Sequence, residues 1–272
     1  MASPELNSLR NPRVSKARRL ATRSFREQDG RFLVEGPQAV REAAANVGGL
    51  VELFLTADAK ARHPDVVAAA EAAGAEILLA SGEVVAELSG TVTPQGMVAV
   101  ARHIDVPLSV IAPTARLVAV LSHVRDPGNA GTVIRTADAA GADAVVLTDA
   151  SVDPYNGKCV RASAGSLFHL PIVRGVPVAD VVVQLRAAGL RVLAADGGGA
   201  EDLDDLIDDG SLARPTAWLF GNEAWGLPPE VRDLADAAVR VPIHGRAESL
   251  NLASAATVCL YASARAQRRT PA

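Results

Sequence analysis

Three segments of the chain combine glycines with a few polar side chains, the composition of loops that close on a ligand. The first is Asp126-Pro127-Gly128-Asn129-Ala130-Gly131-Thr132-Val133-Ile134-Arg135. Gly128 and Gly131 allow backbone to approach a ligand closely at a helix start. Asn129 reads either as a helix N-cap or as a polar site residue. Arg135 falls in the second turn of a helix over 131–140, where the helix dipole disfavours a cation. Val133, Ile134, Ala137 and Ala140 mark the buried stripe with Arg135 at its edge, and a surface pair with Asp138 at i+3 is the ordinary explanation. The second segment is Phe220-Gly221-Asn222-Glu223-Ala224-Trp225-Gly226-Leu227-Pro228, in which Glu223 is the only carboxylate. The third is Val241-Pro242-Ile243-His244-Gly245-Arg246-Ala247-Glu248-Ser249-Leu250-Asn251, in which Ser249 reads as a plain N-cap and Asn251 as a first-turn residue. His244 has no second histidine or cysteine to partner it.

These segments need elements to hold them, and the hydrophobic pattern supplies the elements. Strands are read at 117–122, 144–147, 191–195, 216–220 and 238–241, and helices at 131–140, 178–188 and 249–265. Continuous Val/Ile/Leu/Ala strands alternating with helices imply an α/β fold with a mostly parallel sheet covered on both faces. Ligands of such sheets bind beyond the carboxyl ends of the strands, where the three segments lie. Ahead of this half lies a smaller α/β unit, with strands at 31–34, 51–55, 76–80 and 97–102 and helices at 37–46, 65–73 and 82–88. The stretch 103–116 carries Pro107 and Pro113 without a helical period and reads as the linker. Residues 267–272 read as a frayed end.

Several function classes are excluded. No GxxxxGK[ST] segment exists, so phosphate-loop NTPases fall. Asp196-Gly197-Gly198-Gly199-Ala200-Glu201-Asp202 follows a strand, but Asp202 stands where a dinucleotide fingerprint needs a small residue. Its acids would also repel a pyrophosphate, which leaves a surface loop or a nucleoside-lining loop. Cys159 and Cys259 are isolated, and the five histidines form no ligand spacing, so neither a metal nor a disulfide is expected. No apolar run approaches the roughly 20 residues that span a bilayer, and the N-terminus lacks a signal core. A cytoplasmic protein is the expectation.

In order and position, the three loops resemble the signature motifs of the SpoU (TrmH) family, S-adenosylmethionine-dependent RNA ribose 2′-O-methyltransferases of the SPOUT class. The resemblance spans about residues 117–265 and extends to Lys158-Cys159-Val160-Arg161-Ala162-Ser163-Ala164-Gly165-Ser166-Leu167-Phe168. It implies a deep trefoil knot near the C-terminus and a homodimer with the active site near its interface. Carried over residue by residue, it makes Asn129, Arg135, Glu223, Ser249 and Asn251 catalytic. Ala194, Ala195, Phe220, Gly221, Val241, Ile243 and Leu250 would hold the cofactor, largely through backbone groups. Glu223 would hold its own loop or Asn129. A guanidinium keeps its proton at any ordinary pH, so Arg135 suits stabilisation of a developing 2′-alkoxide better than proton abstraction. The first motif reads Arg-Asp-Pro-Gly-Asn rather than the common Asn-Pro-Gly-Asn, with Asn129, Gly131 and Arg135 keeping their spacing.

Charge completes the reading. The 272 residues carry 27 Lys+Arg and 31 Asp+Glu, a formal net charge of −4 that argues against a nucleic-acid binder. The segment 10–31 is nevertheless +6 and the remainder −10. A single helix over 11–28 would bury Val14, Ala17, Ala21 and Phe25 and turn Arg13, Lys16, Arg19, Arg23 and Arg26 outward. That stripe reads as a phosphate-contacting face or a solvated one, with few acids at i+4 to neutralise it. With Phe32-Leu33-Val34-Glu35-Gly36 it resembles the substrate-binding domain of rRNA methyltransferases of the thiostrepton-resistance type. The expected division is therefore an RNA substrate-binding domain, 1–107, and a methyltransferase domain, 108–272. Ribosomal (23S) RNA is the expected substrate and tRNA the alternative. A non-catalytic RNA-binding protein on the same fold and a small-molecule nucleotide enzyme are the other readings.

Overall fold

The computed structural model describes residues 5–46 and 49–269, in two compact units. Unit one is Met1–Ile104 with Tyr155–His169, and unit two is Asp105–Pro154 with Leu170–Ala272. A boundary drawn along the sequence at 107/108 differs from this division in two ways. Residues 105–107 belong with unit two, where Val106 N–H donates to the Ile172 carbonyl (2.9 Å) and Arg174 pairs with Asp105 (2.9 Å). Residues 155–169 pack into unit one. Tyr155 is buried there, stacked on His103 (ring centroids 4.2 Å) and against Phe32 (4.5 Å), and its hydroxyl accepts from Ile104 N–H at 2.8 Å.

Unit one is built on four strands, β1 (Arg31–Glu35), β2 (Leu50–Leu55), β3 (Glu76–Leu79) and β4 (Met97–Arg102), in the order β1-β4-β2-β3. β4 runs antiparallel to both neighbours and β2 pairs β3 in parallel. One face is covered by the helices Pro12–Arg19 and Gly82–Leu88, whose Val14, Ala17, Val84, Val85 and Leu88 form one buried cluster with Leu20, Val98 and Val100.

The single basic helix expected over 11–28 is two helices, Pro12–Arg19 and Arg23–Asp29. Asn11 caps the first by accepting from Arg13 N–H, and its last turns close with i to i−3 bonds from Leu20, Ala21 and Thr22. Thr22 is extended (φ −96°, ψ 134°), and Leu20, not Ala21, completes the buried stripe. Arg26 is buried rather than outward. Its guanidinium donates to the carbonyls of Leu20 (2.9 Å) and Ala21 (2.8 Å), in the break just past the end of the first helix. Periodicity misses the break because alanine and phenylalanine continue the apolar spacing across it.

Unit two carries seven strands: β5 (Leu117–Leu121), β6 (Ala144–Thr148), β7 (Ile172–Val176), β8 (Arg191–Ala195), β9 (Glu201–Asp202), β10 (Thr216–Phe220) and β11 (Ala237–Arg240). Their order is β7-β6-β5-β10-β8-β11-β9, and every pair is parallel. Sequence order climbs outward from β5 through β6 to β7, and later strands build on its other side. β5 and β10 therefore meet where the winding reverses, the position at which open parallel sheets bind ligands. Residues 103–116 include a short helix, Leu108–Ile111, that the proline-rich sequence does not advertise. The C-terminal helix runs Leu252–Arg269, so 267–269 are helical, while 270–272 lie outside the described residues. This helix is fastened to the sheet by the buried Trp218 indole, which donates to Ser263 Oγ at 2.9 Å.

Two measurements test these assignments. Arg26→Ala strands the two carbonyls in the break and is expected to cost about 2 kcal/mol in denaturant unfolding. Burial pushes the Cys259 thiol up to about 12, so it holds almost no thiolate at neutral pH. Cys259 should resist a thiol reagent at pH 8 in the native protein and react once the chain is unfolded.

Candidate active site

The loops after β5, β10 and β11 are joined by side-chain hydrogen bonds. Glu223, in the loop after β10, accepts from Asn129 Nδ2 (3.2 Å) and from the backbone N–H groups of Asp126 (3.2 Å) and Arg125 (3.4 Å). Asn129 Oδ1 in turn accepts from Asn251 Nδ2 at 3.2 Å. Three segments far apart in sequence thus meet in one chain, Glu223–Asn129–Asn251.

Local structure explains why these side chains are available. The helix after β5 runs Pro127–Ala140, and its N-cap is Asp126, whose carboxylate accepts from Gly128 and Asn129 N–H. Asn129 is therefore not the cap, and its amide is free to reach across loops. At the third loop Asn251, rather than Ser249, caps the C-terminal helix, with Oδ1 accepting from Ala253 N–H at 2.8 Å. The loop after β10 folds tightly on itself, with paired backbone bonds between Asn222 and Gly226 (2.7 and 2.9 Å). A Cβ on Gly221 would stand 2.5 Å from the Gly226 carbonyl oxygen, so only glycine admits this fold.

Two residues that sequence reasoning passed over support the arrangement. Asn222 Nδ2 donates to the His123 carbonyl at 3.0 Å, and its Oδ1 accepts from Ala224 N–H. His123 adopts φ 61°, rare for a residue with a side chain. Its ring lies edge-on to Trp225 (5.6 Å), and its Nδ1 is 2.9 Å from Ser122 Oγ. An asparagine two residues before a turn amide is the available signal for Asn222; nothing in the sequence marks His123.

Arg135 and Ser249 are exposed, and neither side chain bonds another described residue. The i+3 pair with Asp138 is not formed. Because the helix starts at Pro127, Arg135 sits in its third turn, beyond the reach of the N-terminal dipole. Its position therefore carries less electrostatic penalty than the sequence reading assigned.

The residues assigned to a cofactor gather at the carboxyl ends of three adjacent strands. Ala194 and Ala195 end β8, Phe220 ends β10 beside them, and Val241 follows β11 on the other side. Ala194, Phe220 and Gly221 are buried. Ile243 and Leu250 are large apolar side chains left 38% and 40% exposed. No backbone group of residues 241–250 hydrogen-bonds another described residue. Free peptide groups beside uncovered apolar side chains suit a ligand with a flat apolar ring and polar edges. Among the described residues no His/Cys/Asp/Glu cluster could hold a metal, and no helix is long and apolar enough to cross a membrane.

The five basic residues assigned to RNA divide differently. Arg13 is drawn to Glu76 (2.5 Å) and Glu52 (3.7 Å), Arg23 pairs with Glu27 at i+4 (2.8 Å), and Arg26 is buried. Arg19 lies 3.8 Å over the Phe25 ring, and Lys16 is exposed with no partner among the described residues. The stripe is thus more neutralised than its sequence suggested.

Known proteins share this architecture. A family model described as the SpoU rRNA Methylase family matches residues 116–261, and an MRM3-like substrate binding domain matches residues 11–99. The chain is 35% identical, over 94% of its length and 98% of the relative's, to the Bacillus subtilis 23S rRNA (guanosine(2553)-2′-O)-methyltransferase RlmP. An AdoMet-bound rRNA methyltransferase from Sinorhizobium meliloti superposes with a TM-score of 0.84 at 35% identity, covering 96% of this chain and 97% of that one. The methyltransferase AviRb from Streptomyces viridochromogenes, in complex with AdoMet, gives 0.80 at 32% identity over 96% and 100%.

Glu223→Ala removes the acceptor shared by the three donors. The Arg125 and Asp126 amides are then expected to exchange with solvent about fivefold faster, the equivalent of roughly 1 kcal/mol. Exchange measured by mass spectrometry checks this, and protection of the β5 and β10 amides should persist.

Proposed function

Since the chain belongs to the SpoU rRNA methylase family, we propose that it transfers a methyl group from S-adenosylmethionine to a ribose 2′-hydroxyl of 23S ribosomal RNA. The observation that carries this is the Glu223–Asn129–Asn251 chain, which brings the three loops together at adjacent strand ends. A relative named for the 23S rRNA reaction matches over 94% of the chain, which favours ribosomal RNA over tRNA.

The bound cofactor supplies an electrophilic methyl on a positively charged sulfur. The open peptide groups of 241–250, with Ile243 and Leu250 beside the ends of β8 and β10, would hold its adenosine. The protein's remaining task is to position the ribose and manage its charge. The C–S bond of the sulfonium would break as the O–C bond forms, leaving a neutral thioether, and the 2′-hydroxyl proton would pass to solvent, so negative charge develops on the 2′-oxygen as the proton leaves. Arg135, exposed and uncommitted to any described residue, can meet that charge without breaking an existing ion pair. Asn129 and Asn251, locked by Glu223, would orient the ribose, and Ser249 would contribute a hydroxyl. Exposed cations of unit one would hold the RNA. By the same reading the protein is a cytoplasmic homodimer, with a trefoil knot formed by its C-terminal loops. The exposed Val258 and Tyr261 on the C-terminal helix suit a dimer contact.

The test is single-turnover methylation of a 23S transcript, with the modified nucleotide mapped by its resistance to alkaline cleavage. Arg135→Ala is expected to lower the rate 100-fold or more, with cofactor affinity within about twofold of the parent. Near-parental turnover in that variant would overturn the role of Arg135. Absence of 2′-O-methylation by the parent protein would overturn the activity.

A further inference from the structure

The sheet of unit one contains two like-charge pairs on neighbouring strands, and they are treated differently. On β2 and β3, Glu52 lies directly opposite Glu76. On β1 and β4, Arg31 lies directly opposite Arg102. Like charges in register repel each other. The acidic pair is neutralised from within, because Arg13 reaches over the sheet to both carboxylates (2.5 Å to Glu76, 3.7 Å to Glu52). The basic pair receives no such help. Neither guanidinium forms a hydrogen bond or ion pair with any described residue.

Both pairs lie on one face. Along β1, Arg31, Leu33 and Glu35 alternate with the buried Phe32 and Val34. Leu33 is opposite Val100 and packs against the cluster that contains Val14, Ala17, Leu20 and Val100, so this is the face covered by the helix Pro12–Arg19. Val100 is in turn opposite Glu52. Arg31 and Arg102 stand one step beyond Leu33 and Val100 in the same rows. Arg102 is exposed and Arg31 partly so, and β1 is the edge strand.

Most other cations in this region are engaged. Arg13, Arg18 and Arg23 pair with carboxylates, and Arg26 is bound to backbone carbonyls. What distinguishes Arg31 and Arg102 is that two side chains far apart in sequence are placed in register by a strand pair. Side chains so paired rise from Cα atoms about 5 Å apart. Two guanidinium forks at that spacing can share one tetrahedral oxyanion.

We propose that Arg31 and Arg102 together form a grip for a phosphodiester of the RNA backbone. This rests on the RNA-methyltransferase reading above and moves the contact away from the basic helix toward the edge of the sheet. A phosphodiester polymer fits better than a small free anion because Lys16 and Arg10, also exposed and with no side-chain partner among the described residues, offer further charge in the same segment. An anion between the two arginines replaces a repulsion with two attractions, so the pair should favour the bound state without stabilising the free protein.

The experiment titrates a 23S transcript at several salt concentrations into the parent protein, Arg31→Gln, Arg102→Gln, the double variant, the double Arg→Lys variant and Arg13→Gln. The double Gln variant should bind at least tenfold more weakly at low salt, with the salt slope reduced by about one to two ions. Its melting temperature should not fall, since a repulsion has been removed, and S-adenosylmethionine affinity should be unchanged. The Lys pair should restore most of the binding, because it returns the charge. Arg13→Gln should instead lower the melting temperature with little change in slope. Parental affinity and slope in the double Gln variant, alongside normal RNA binding by the parent, would overturn the grip and leave the methyltransferase reading standing. No RNA binding by the parent would overturn both. Competition by millimolar inorganic phosphate at constant ionic strength would overturn the assignment to a polymer in favour of a free anion.

Discussion

The site depends on the carboxylate of Glu223. It is the acceptor for the Asn129 amide and for two backbone N–H groups at the start of the first loop, across 94 positions of sequence in the case of Asn129. A carboxylate accepts several bonds at once and does not donate, so it can orient an asparagine amide in one sense only. With Asn129 Nδ2 committed to Glu223, Asn129 Oδ1 faces Asn251. Asn251 is anchored in turn because its own oxygen caps the C-terminal helix. That helix is held to β10 through Ser263 and Trp218 in the core. The polar loops are therefore continuous with the hydrophobic layer beneath them, which lets a loop site keep the geometry that catalysis requires.

Unit one follows a different electrostatic principle. Its surface cations are abundant, yet many serve the fold. Arg13 cancels a repulsion between two strands, and Arg26 holds the break between two helices from a buried position. Such uses are invisible to a count of charges. The +6 of residues 10–31 overstates what that segment leaves unpaired, and Arg102, outside the segment, joins the cations with no partner among the described residues. Charge segregation along a chain marks a region, while register on the sheet shows which of its cations stand side by side.

Strands and helices with long apolar periods were legible in the sequence, including β5, β8 and β10 to within a residue. The failures share physical causes. β7 carries an arginine and a glycine at positive φ, and β9 is two acidic residues long, so neither has an apolar run to detect. The packing of 155–169 into unit one is a tertiary choice, made through Tyr155, His103 and Phe32, that leaves no mark in linear order. The break between the two basic helices was hidden because Arg26, rather than proline or glycine, satisfies it.

At the site, residues that organise and residues assigned to chemistry separate by their bonding. Asn129, Asn251 and Glu223 are satisfied by one another, and the Asx-type cap at Asp126 explains why Asn129 is spared for that purpose. Arg135 and Ser249 bond no described residue. For a stabiliser of transient charge this is the economical condition. An arginine already paired with a carboxylate would have to surrender that pair, or share it, as the alkoxide forms, and the gain in the transition state would shrink by the energy of the pair lost. The family resemblance nominates all five side chains alike, whereas residue type alone leaves Asn129 and Ser249 as caps and Arg135 as a surface pair. The hydrogen-bond pattern divides the five into three that are joined to one another and two that bond no described residue, a difference of tertiary contact that linear spacing does not carry.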